Sequence, residues 1–280
     1  MFTSMTRLLW WNDIEVVSDM YGWRARIGLI IPSSNTTMEP EFWSMAPQGV
    51  SIHTARVPLE RVTSKELLRM EEEAEHTARL LATAEVDIVV YGCTTGSLVA
   101  GPGHDERIAA KLSKAAGRPA IATATAVVEA AHALGVSRIA LATPYIDEVN
   151  EKEIRFLESY GLEVVDVVSL GIERNTEIGR VPPERVYRLA RSLDTDSADA
   201  VFISCTNLRT IEVIDALERD LGKPVYSSNT ATLWLALRRL GIREASWPVG
   251  RLLREHLSLS GLGATRAPRR PAASVTGPAG

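Results

Sequence analysis

The two cysteines of the chain lie in similar stretches of sequence. Residues 89–97 read VVYGCTTGS around Cys93, and residues 201–207 read VFISCTN around Cys205. In each stretch an apolar run typical of a buried strand passes into a turn rich in hydroxyl side chains, where a helix is predicted to begin. The two thiols are 112 residues apart and occupy equivalent positions in these stretches.

A thiol in this setting can act as a base or as a nucleophile. The thiolate is the reactive form, and a helix N-terminus lowers the pKa of a cysteine from about 8.5 towards neutrality. With two thiols on opposite sides of one planar carbon centre, one could attack the carbon or remove its proton while the other protonates it. The alternative is that Cys93 and Cys205 are small, inert core residues.

Hydrogen-bond donors accompany both cysteines, and they suit an anionic substrate. Backbone N–H groups at helix N-termini, with nearby hydroxyl and amide donors, form sites for carboxylates. The alternative for these residues is ordinary helix capping. We predict that substrate is bound at these turns and just beyond two other strands, by Thr94, Thr95, Thr206, Asn207, Asn35 and Tyr145. Asn35 could equally cap the next helix, and Tyr145 could equally be a surface residue.

The cysteine stretches belong to a longer internal repeat. Residues 26–32 (RIGLIIP) recur as residues 138–144 (RIALATP), and Asp87 recurs as Asp199, with the same offset of 112. Residues 118–121 (RPAI) recur as residues 223–226 (KPVY) with an offset of 105, and a predicted helix follows each copy. Landmarks in the same order indicate two similar β-α units of about 110 residues, related by duplication.

Strands that alternate with helices predict parallel sheets covered by helices. We therefore expect an α/β protein of two parallel-sheet units, flavodoxin-like or Rossmann-like, related by a pseudo-twofold axis. Four strands are expected in each of the segments 26–122 and 138–227. Because ligands bind at the carboxyl ends of such strands, both cysteine turns should face one cleft, with the active site between the units.

The sequence pattern also predicts individual elements of the first unit. Strands are expected at residues 26–32, 50–57, 86–91 and 120–122, and helices at 64–84, 105–116 and 125–134. Thr36 and Glu39 have the spacing of a capping box, which predicts that a helix begins there.

The repeat sets the expected domain boundaries. Residues 24–136 form the first α/β unit, with the helix at 125–134 near the crossover, and residues 137–260 form the second. Residues 1–23 are expected to be an N-terminal extension outside the fold, because their apolar part is short, acidic residues follow it and it lacks a signal-peptide pattern. Residues 261–280 are rich in Gly, Pro, Ala, Ser and Arg and are expected to be a disordered tail.

Composition and motifs exclude several classes of protein. The 280-residue chain has a formal net charge of −4, so no basic surface points to nucleic acid. No apolar run approaches the ~18 residues of a membrane span. The histidines show no metal-ligand spacing, and no phosphate-binding glycine motif is present. Two distant cysteines form no disulfide framework, so we expect a cytoplasmic protein that works without metal or cofactor.

At these residues the chain resembles the aspartate/glutamate racemase superfamily, and within it the branch of maleate cis-trans isomerases and arylmalonate decarboxylases. The resemblance is carried by residues 32–39 (PSSNTTME), 92–97 (GCTTGS), 144–145 (PY) and 204–207 (SCTN), and it extends from about residue 24 to residue 243. It implies a pair of α/β units with the active site between them and no cofactor. Family members are often dimers or tetramers, so the resemblance also implies a homo-oligomer.

The resemblance assigns roles to individual residues. In maleate isomerases the first cysteine is thought to attack a carbon of the double bond, which gives a covalent succinyl-type intermediate. Rotation about the new single bond and elimination then yield fumarate. Cys93 would be the nucleophile and Cys205 the general acid and base. Asn35, Tyr145 and Asn175 match positions expected to bind the substrate carboxylates.

The resemblance leaves more than one reaction open. Decarboxylases of this branch keep only the second cysteine, so Cys93 favours two-sided chemistry. The stretches at 93–97 and 205–210 look closer to isomerase-like proteins of ectoine breakdown, so the substrate stays open. The first hypothesis is a cofactor-independent isomerase of a small dicarboxylate. The alternatives are a racemase or decarboxylase acting α to a carboxylate, and a non-catalytic small-molecule binding protein.

Overall fold

The computed structural model describes residues 21–257. The predicted tail at 261–280 lies outside the described residues, and of the predicted extension at 1–23 only residues 21–23 lie within them. Within the described part of the chain, no helix has the length and apolar character needed to cross a membrane.

The first unit contains a four-stranded parallel sheet with the spatial order β2-β1-β3-β4. Its strands are β1 Ala25–Pro32, β2 Val50–Val57, β3 Ile88–Tyr91 and β4 Ala120–Ala122. Its helices are α1 Met38–Met45, α2 Ser64–Thr83, α3 Thr94–Leu98, α4 His104–Ala116 and α5 Thr123–Ala133. The predicted strands and helices of this unit are all present, with ends within 2 residues of those predicted.

The second unit repeats this topology, with the spatial order β6-β5-β7-β8. Its strands are β5 Arg138–Thr143, β6 Glu163–Ser169, β7 Ala200–Ile203 and β8 Val225–Ser227. Its helices are α6 Asp147–Ser159, α7 Asn175–Ile178, α8 Pro183–Arg191, α9 Ile214–Leu221, α10 Ser228–Arg239 and α11 Gly250–Glu255. Both sheets are parallel and share one strand order, so the predicted fold class is confirmed.

The two central strands of each sheet pair in the same register in both units. Ile27 of β1 pairs with Ile88 of β3, and the equivalent Ile139 of β5 pairs with Ala200 of β7. Every residue of β3 and β7 is buried, because helices cover both faces of a parallel sheet. Each of these strands ends just before a cysteine turn, so the two sheets place the thiols at corresponding carboxyl ends.

The repeated aspartates fasten the start of each central strand. Asp87 Oδ2 accepts a hydrogen bond from the Arg26 N–H at 2.8 Å, and Asp199 Oδ2 accepts one from the Arg138 N–H at 2.8 Å. The backbone N–H groups of Arg138 and Ser137 lower the pKa of Asp199 to about 2. The 112-residue repeat therefore has a structural reason at this point. Equivalent aspartates, Asp87 and Asp199, accept hydrogen bonds from the equivalent backbone N–H groups of Arg26 and Arg138.

The two units meet along α5 and α10, which follow the last strand of each sheet. The helices pack against each other, and the Thr232 hydroxyl of α10 donates to the Thr123 hydroxyl oxygen of α5 at 3.2 Å. Because these helices are equivalent elements of the two units, their contact places the pseudo-twofold axis between them.

The predicted capping box at Thr36 and Glu39 is wrong. Helix α1 begins at Met38, and its N-cap residue makes no side-chain capping bond. Asn35 Oδ1 accepts the N–H groups of Thr37 and Met38 instead, each at 3.0 Å. The amide oxygen of Asn35 reaches two backbone donors at once, and it therefore replaces the hydroxyl cap that the spacing had indicated.

Candidate active site

Cys93 is the N-cap residue of the short helix α3. Its Sγ accepts a hydrogen bond from the Gly96 N–H at 3.3 Å and lies 3.9 Å from the Thr95 hydroxyl oxygen. A Cβ added to Gly96 would lie 2.6 Å from Met70 Cε and 3.0 Å from the Cys93 sulfur. The close approach of the helix backbone to the thiol therefore requires glycine at position 96.

Cys205 lies in a strained turn. Its φ is +101°, in a region that residues other than glycine rarely adopt. The next helix, α9, starts only at Ile214, so the predicted helix start at Cys205 is wrong. Its Sγ accepts a hydrogen bond from the Asn207 N–H at 3.4 Å, and interaction with the Tyr145 side chain lowers its pKa against the effect of burial. Strain of this kind costs about 1–3 kcal/mol and is concentrated at functional sites.

Burial dominates the ionisation of both thiols, each of which is 5% exposed. It raises the pKa of Cys93 to about 11 and that of Cys205 to about 12, against the hydrogen bonds that each sulfur accepts. The expectation that a helix N-terminus brings these pKa values towards neutrality is therefore wrong. A charge on Cys93 raises the pKa of Cys205, so the two sulfurs interact.

The two cysteine turns meet at Ser228, the first residue of α10. Ser228 Oγ accepts the Cys205 N–H at 3.0 Å and the Thr94 hydroxyl at 2.8 Å. The Thr206 hydroxyl also donates to the carbonyl oxygen of Gly92 at 3.3 Å. The turns thus lie side by side where the units join, which is the arrangement that the repeat predicts.

The predicted amide residues belong to the same hydrogen-bond network. Asn35 caps α1 through its Oδ1, and its Nδ2 donates to Thr206 Oγ1 at 3.0 Å. Asn207 Oδ1 accepts the Thr36 N–H at 2.8 Å, and its Nδ2 donates to the Asn175 carbonyl oxygen at 2.7 Å. Residues of both units therefore hold each other in place around the thiols.

All nine predicted site residues are buried: Asn35, Cys93, Thr94, Thr95, Tyr145, Asn175, Cys205, Thr206 and Asn207. Tyr145 is 1% exposed, so the alternative that it is a surface residue is wrong. Its hydroxyl accepts a hydrogen bond from Ser204 Oγ at 3.5 Å, and burial raises its pKa well above the ordinary value. The phenol is therefore neutral and can donate.

Three residues of the site were not identified from the sequence: Ser204, Ser228 and Glu153. Ser204 Oγ lies 2.6 Å from Glu153 Oε1. Glu153 occupies the buried face of α6 with Val149 and Leu157, at helical spacing. A polar residue on such an apolar face is a signal that could have been found in the sequence.

Segments from both units also pair beside Asn175. The Val62 N–H donates to the Glu173 carbonyl oxygen at 2.8 Å, and the Asn175 N–H donates to the Glu60 carbonyl oxygen at 3.0 Å. Arg61 Nη1 lies 2.9 Å from Glu173 Oε1. These contacts join the segment after β2 to the segment after β6 at one side of the buried site.

The site offers two thiols, hydroxyl and amide donors, and one buried carboxyl group. Among residues 21–257, no group of three or more His, Cys, Asp or Glu side chains is arranged to hold a metal ion. The arrangement can supply a sulfur nucleophile, a proton donor on a second sulfur, and neutral donors for an anionic substrate.

Comparison with known proteins identifies the family. A family model described as arylmalonate decarboxylase matches residues 27–253. The maleate isomerase of Geobacillus stearothermophilus is 34% identical over 242 residues, which are 81% of this chain and 96% of that protein.

Solved structures of maleate isomerases share the fold. A cysteine-to-alanine variant of the maleate isomerase Iso from Pseudomonas putida S16, with maleate, has a TM-score of 0.80 and 29% identity, over 83% of this chain and 99% of that one. A cysteine-to-serine variant of the Nocardia farcinica maleate cis-trans isomerase, with a covalently bound succinylcysteine intermediate, has a TM-score of 0.78 and 32% identity, over 82% and 98%. The chain belongs to the arylmalonate decarboxylase family and is a maleate isomerase-like enzyme within it.

Proposed function

We propose that this protein is a cofactor-independent cis-trans isomerase that converts maleate, or a closely related small cis-dicarboxylate, into the trans isomer. Cys93 is the nucleophile and Cys205 the general acid and base. The observation that carries the proposal is the meeting of two buried cysteine turns, one from each unit, at the single hydroxyl of Ser228.

The first step is addition of sulfur to the double bond. The Cys93 thiolate forms a bond to one alkene carbon, and the electron pair of the C=C bond moves to the other carbon. That carbon takes the proton of the Cys205 thiol, so the charge passes from one sulfur to the other.

The second step reverses the first after a rotation. The former double bond is now single, so the two carboxylates can turn from cis to trans. The Cys205 thiolate then removes a proton from the carbon that it protonated, the C=C bond reforms, and the bond to Cys93 breaks. Both thiols return to their starting states, and neither an oxidant nor a reductant is needed.

The side chains around the thiols suit a substrate with two carboxylates. An amide group carries two N–H donors. Asn35, Asn175 and Asn207 each use one of them on a protein acceptor, which leaves the second for a carboxylate oxygen. We assign the N–H groups of Thr94 and Thr95, at the start of α3, to one carboxylate.

The second carboxylate is assigned to the other turn. Asn207 provides the second N–H of its amide and Thr206 its backbone N–H, while the neutral Tyr145 hydroxyl lies beside Cys205. With donors on both sides, the two ends of a four-carbon diacid can be held while its central bond turns.

Relatives with solved structures support sulfur chemistry. The Nocardia farcinica variant carries a succinylcysteine, which is the product of adding a cysteine sulfur to a four-carbon unsaturated diacid. The Pseudomonas putida S16 variant was crystallised with maleate. A pair of thiols at equivalent positions in this chain supports the same division of roles between Cys93 and Cys205.

The proposal is tested with maleate and proton NMR. The purified protein is expected to convert maleate into fumarate without added cofactor. In the Cys205→Ala variant water has to supply the proton that Cys205 gives in the parent, and no thiolate is present to remove it again, so an adduct that forms should persist and intact-mass measurement should show Cys93 heavier by one maleic acid. Release of carbon dioxide from an arylmalonate without fumarate formation would favour the decarboxylase instead, and binding of maleate without turnover by the parent would favour a binding protein.

A further inference from the structure

Glu153 is a buried carboxyl group one hydroxyl away from the Cys205 turn. It is 1% exposed, and its Oε1 lies 2.6 Å from Ser204 Oγ. Ser204 Oγ in turn lies 3.5 Å from the Tyr145 hydroxyl, and Tyr145 interacts with the Cys205 sulfur. A path of neighbouring polar groups therefore runs from the carboxyl group to the thiol.

The surroundings of Glu153 fit the neutral acid. Its Oε2 is buried without a hydrogen-bond partner, and an ionised oxygen in that position would be costly. A second buried acid, Glu41, shows the contrast. Glu41 Oε1 accepts the Thr210 N–H at 2.7 Å, and its Oε2 accepts Asn229 Nδ2 at 2.7 Å. Burial raises the pKa of each acid to about 7, but only Glu41 has backbone and amide donors for both oxygens.

A hydroxyl group has one hydrogen, and this sets the direction of the path. If Ser204 donates to Tyr145, it cannot also donate to Glu153. The short contact between Ser204 and Glu153 must then be made by a proton on the carboxyl group. If Glu153 loses that proton, Ser204 turns its hydrogen to the carboxylate and no longer donates to Tyr145.

Building on the proposed function, we propose that Glu153 is a positioning residue for Cys205. As the neutral acid it donates to Ser204, Ser204 donates to Tyr145, and Tyr145 donates to the Cys205 sulfur. This arrangement stabilises the thiolate that forms when Cys205 gives its proton to the substrate carbon. Ionised Glu153 reverses the path and adds a negative charge, and both changes disfavour the Cys205 thiolate.

The other groups near Glu153 do not offset its charge. Glu153 interacts electrostatically with the titratable groups of Cys205, Tyr145 and Tyr226. Each of them is neutral or negative. The neighbouring Lys152 points to another partner, because its Nζ lies 3.5 Å from Glu148 Oε1. A change in the protonation of Glu153 therefore acts directly on the pKa of the Cys205 thiol.

The test measures the reactivity of Cys205 without relying on isomerisation. In the Cys93→Ala background Cys205 is the one remaining thiol, and its alkylation by iodoacetamide is followed by mass spectrometry from about pH 6 to about pH 9. Glu153→Gln keeps a neutral donor towards Ser204 at every pH. We expect the ratio of its alkylation rate to that of Cys93→Ala alone to rise roughly threefold or more as the pH passes 7, because Glu153 ionises there.

Two further variants distinguish an effect that passes through the Ser204 hydroxyl from a general effect of removing a carboxyl group. Glu151→Gln makes the same chemical change on the exposed face of α6 and should leave the ratio flat. In a Ser204→Ala background, the effect of Glu153→Gln should shrink, because the path is cut. A flat ratio for Glu153→Gln, or an undiminished effect without the Ser204 hydroxyl, would overturn the proposal. Thermal unfolding of each variant reports whether it is folded.

Kinetics connect this result to turnover. If the parent isomerises maleate, the ratio of kcat for Glu153→Gln to kcat for the parent should rise through the same pH range, whereas a structural role would leave the ratio flat. If the alkylation ratio rises but the parent converts no diacid, the positioning role of Glu153 stands and the proposed function fails. The alkylation measurement therefore tests the positioning role of Glu153, and the turnover measurement tests the proposed function.

Discussion

Arg61 of the first unit and Glu173 of the second form an ion pair with each other, with Nη1 2.9 Å from Oε1. The segments that carry them also exchange backbone hydrogen bonds next to Asn175. Each of the two cysteines is 5% exposed, so some part of the structure has to move when a substrate enters. Mutation of the ion pair tests whether these paired segments are that part.

Reversing the charge of Arg61 should therefore open the site more often. The two side chains are 58% and 41% exposed, so solvent screens the pair and its contribution to stability is small. We expect Arg61→Glu to raise the rate of iodoacetamide alkylation of Cys93 by roughly threefold. The double variant Arg61→Glu with Glu173→Arg should restore the parent rate. Arg155→Glu, an exposed control on α6, should have no effect, and an unchanged rate for Arg61→Glu would show that entry lies elsewhere.

The two cysteines should behave as one catalytic unit. Cys93→Ala is expected to abolish isomerisation, because no second sulfur can attack from that side. Cys205→Ala should cost nearly as much in kcat, and the double variant should be little worse than either, since residues that act together are not additive. Cys93→Ser should also be very poor, because a hydroxyl ionises far less than a thiol. Parent-like turnover of maleate or any related diacid by both alanine variants would refute the cysteine mechanism.

Charge on the substrate should decide binding. A carboxylate receives charge-assisted hydrogen bonds of about 1.5–3 kcal/mol each, and an ester does not. Malonate should therefore inhibit the isomerase at least roughly tenfold more strongly than its dimethyl ester. Inhibition constants measured at one pH and ionic strength give the comparison. Equal inhibition by the acid and the ester would contradict the placement of donors on both sides of the thiols.

The strain at Cys205 should be visible in stability. Its φ of +101° costs a residue with a Cβ about 1–3 kcal/mol, which glycine does not incur. Cys205→Gly and Cys205→Ala both remove the thiol, so they form a matched pair without activity. We expect the glycine variant to have the higher melting temperature by several degrees. A less stable glycine variant would mean that the turn carries no backbone strain.

The buried acids should make stability depend on pH. Burial raises the pKa of both Glu41 and Glu153 from 4.5 to about 7, so the folded state holds these protons more tightly than the unfolded state. The stability contributed is fully present below about pH 4.5 and is lost as the pH rises through 7, by roughly 3 kcal/mol for each group. Melting temperatures at about pH 5 and about pH 8 should therefore differ, with the lower value at pH 8.

Amide variants separate the two acids. Glu153→Gln should reduce the difference between the two pH values, because the amide does not ionise. Glu41→Gln should destabilise at both pH values by about 1–3 kcal/mol, because its NH2 group would face the N–H donor of Thr210 or the amide of Asn229. Similar behaviour of the two variants would show that their surroundings do not differ as described.

The sequence by itself determined the duplicated architecture. The alternation of strands and helices, the offset of 112 and the matching strand stretches before Cys93 and Cys205 are local patterns, and local patterns predict secondary structure and repeats. They also led to eight of the nine predicted site residues, because parallel strands bring their carboxyl ends to one edge, and the ninth, Asn175, was predicted from the family resemblance. The helix after Cys93 followed from the same reasoning, since its capping geometry depends on nearby residues.

Only the tertiary structure decided how the site is completed and ionised. A helix start was predicted at Cys205 from its resemblance to Cys93, but the left-handed φ directs that chain elsewhere. Asn35 replaced the predicted capping box, and its partners also include Thr206 of the other unit. The pKa values of the thiols rose instead of falling, because desolvation depends on everything that surrounds a group. The path from Glu153 to Cys205 joins α6 to the turn after β7, 51 residues from Glu153 to Ser204, and such proximity arises from packing and not from sequence spacing.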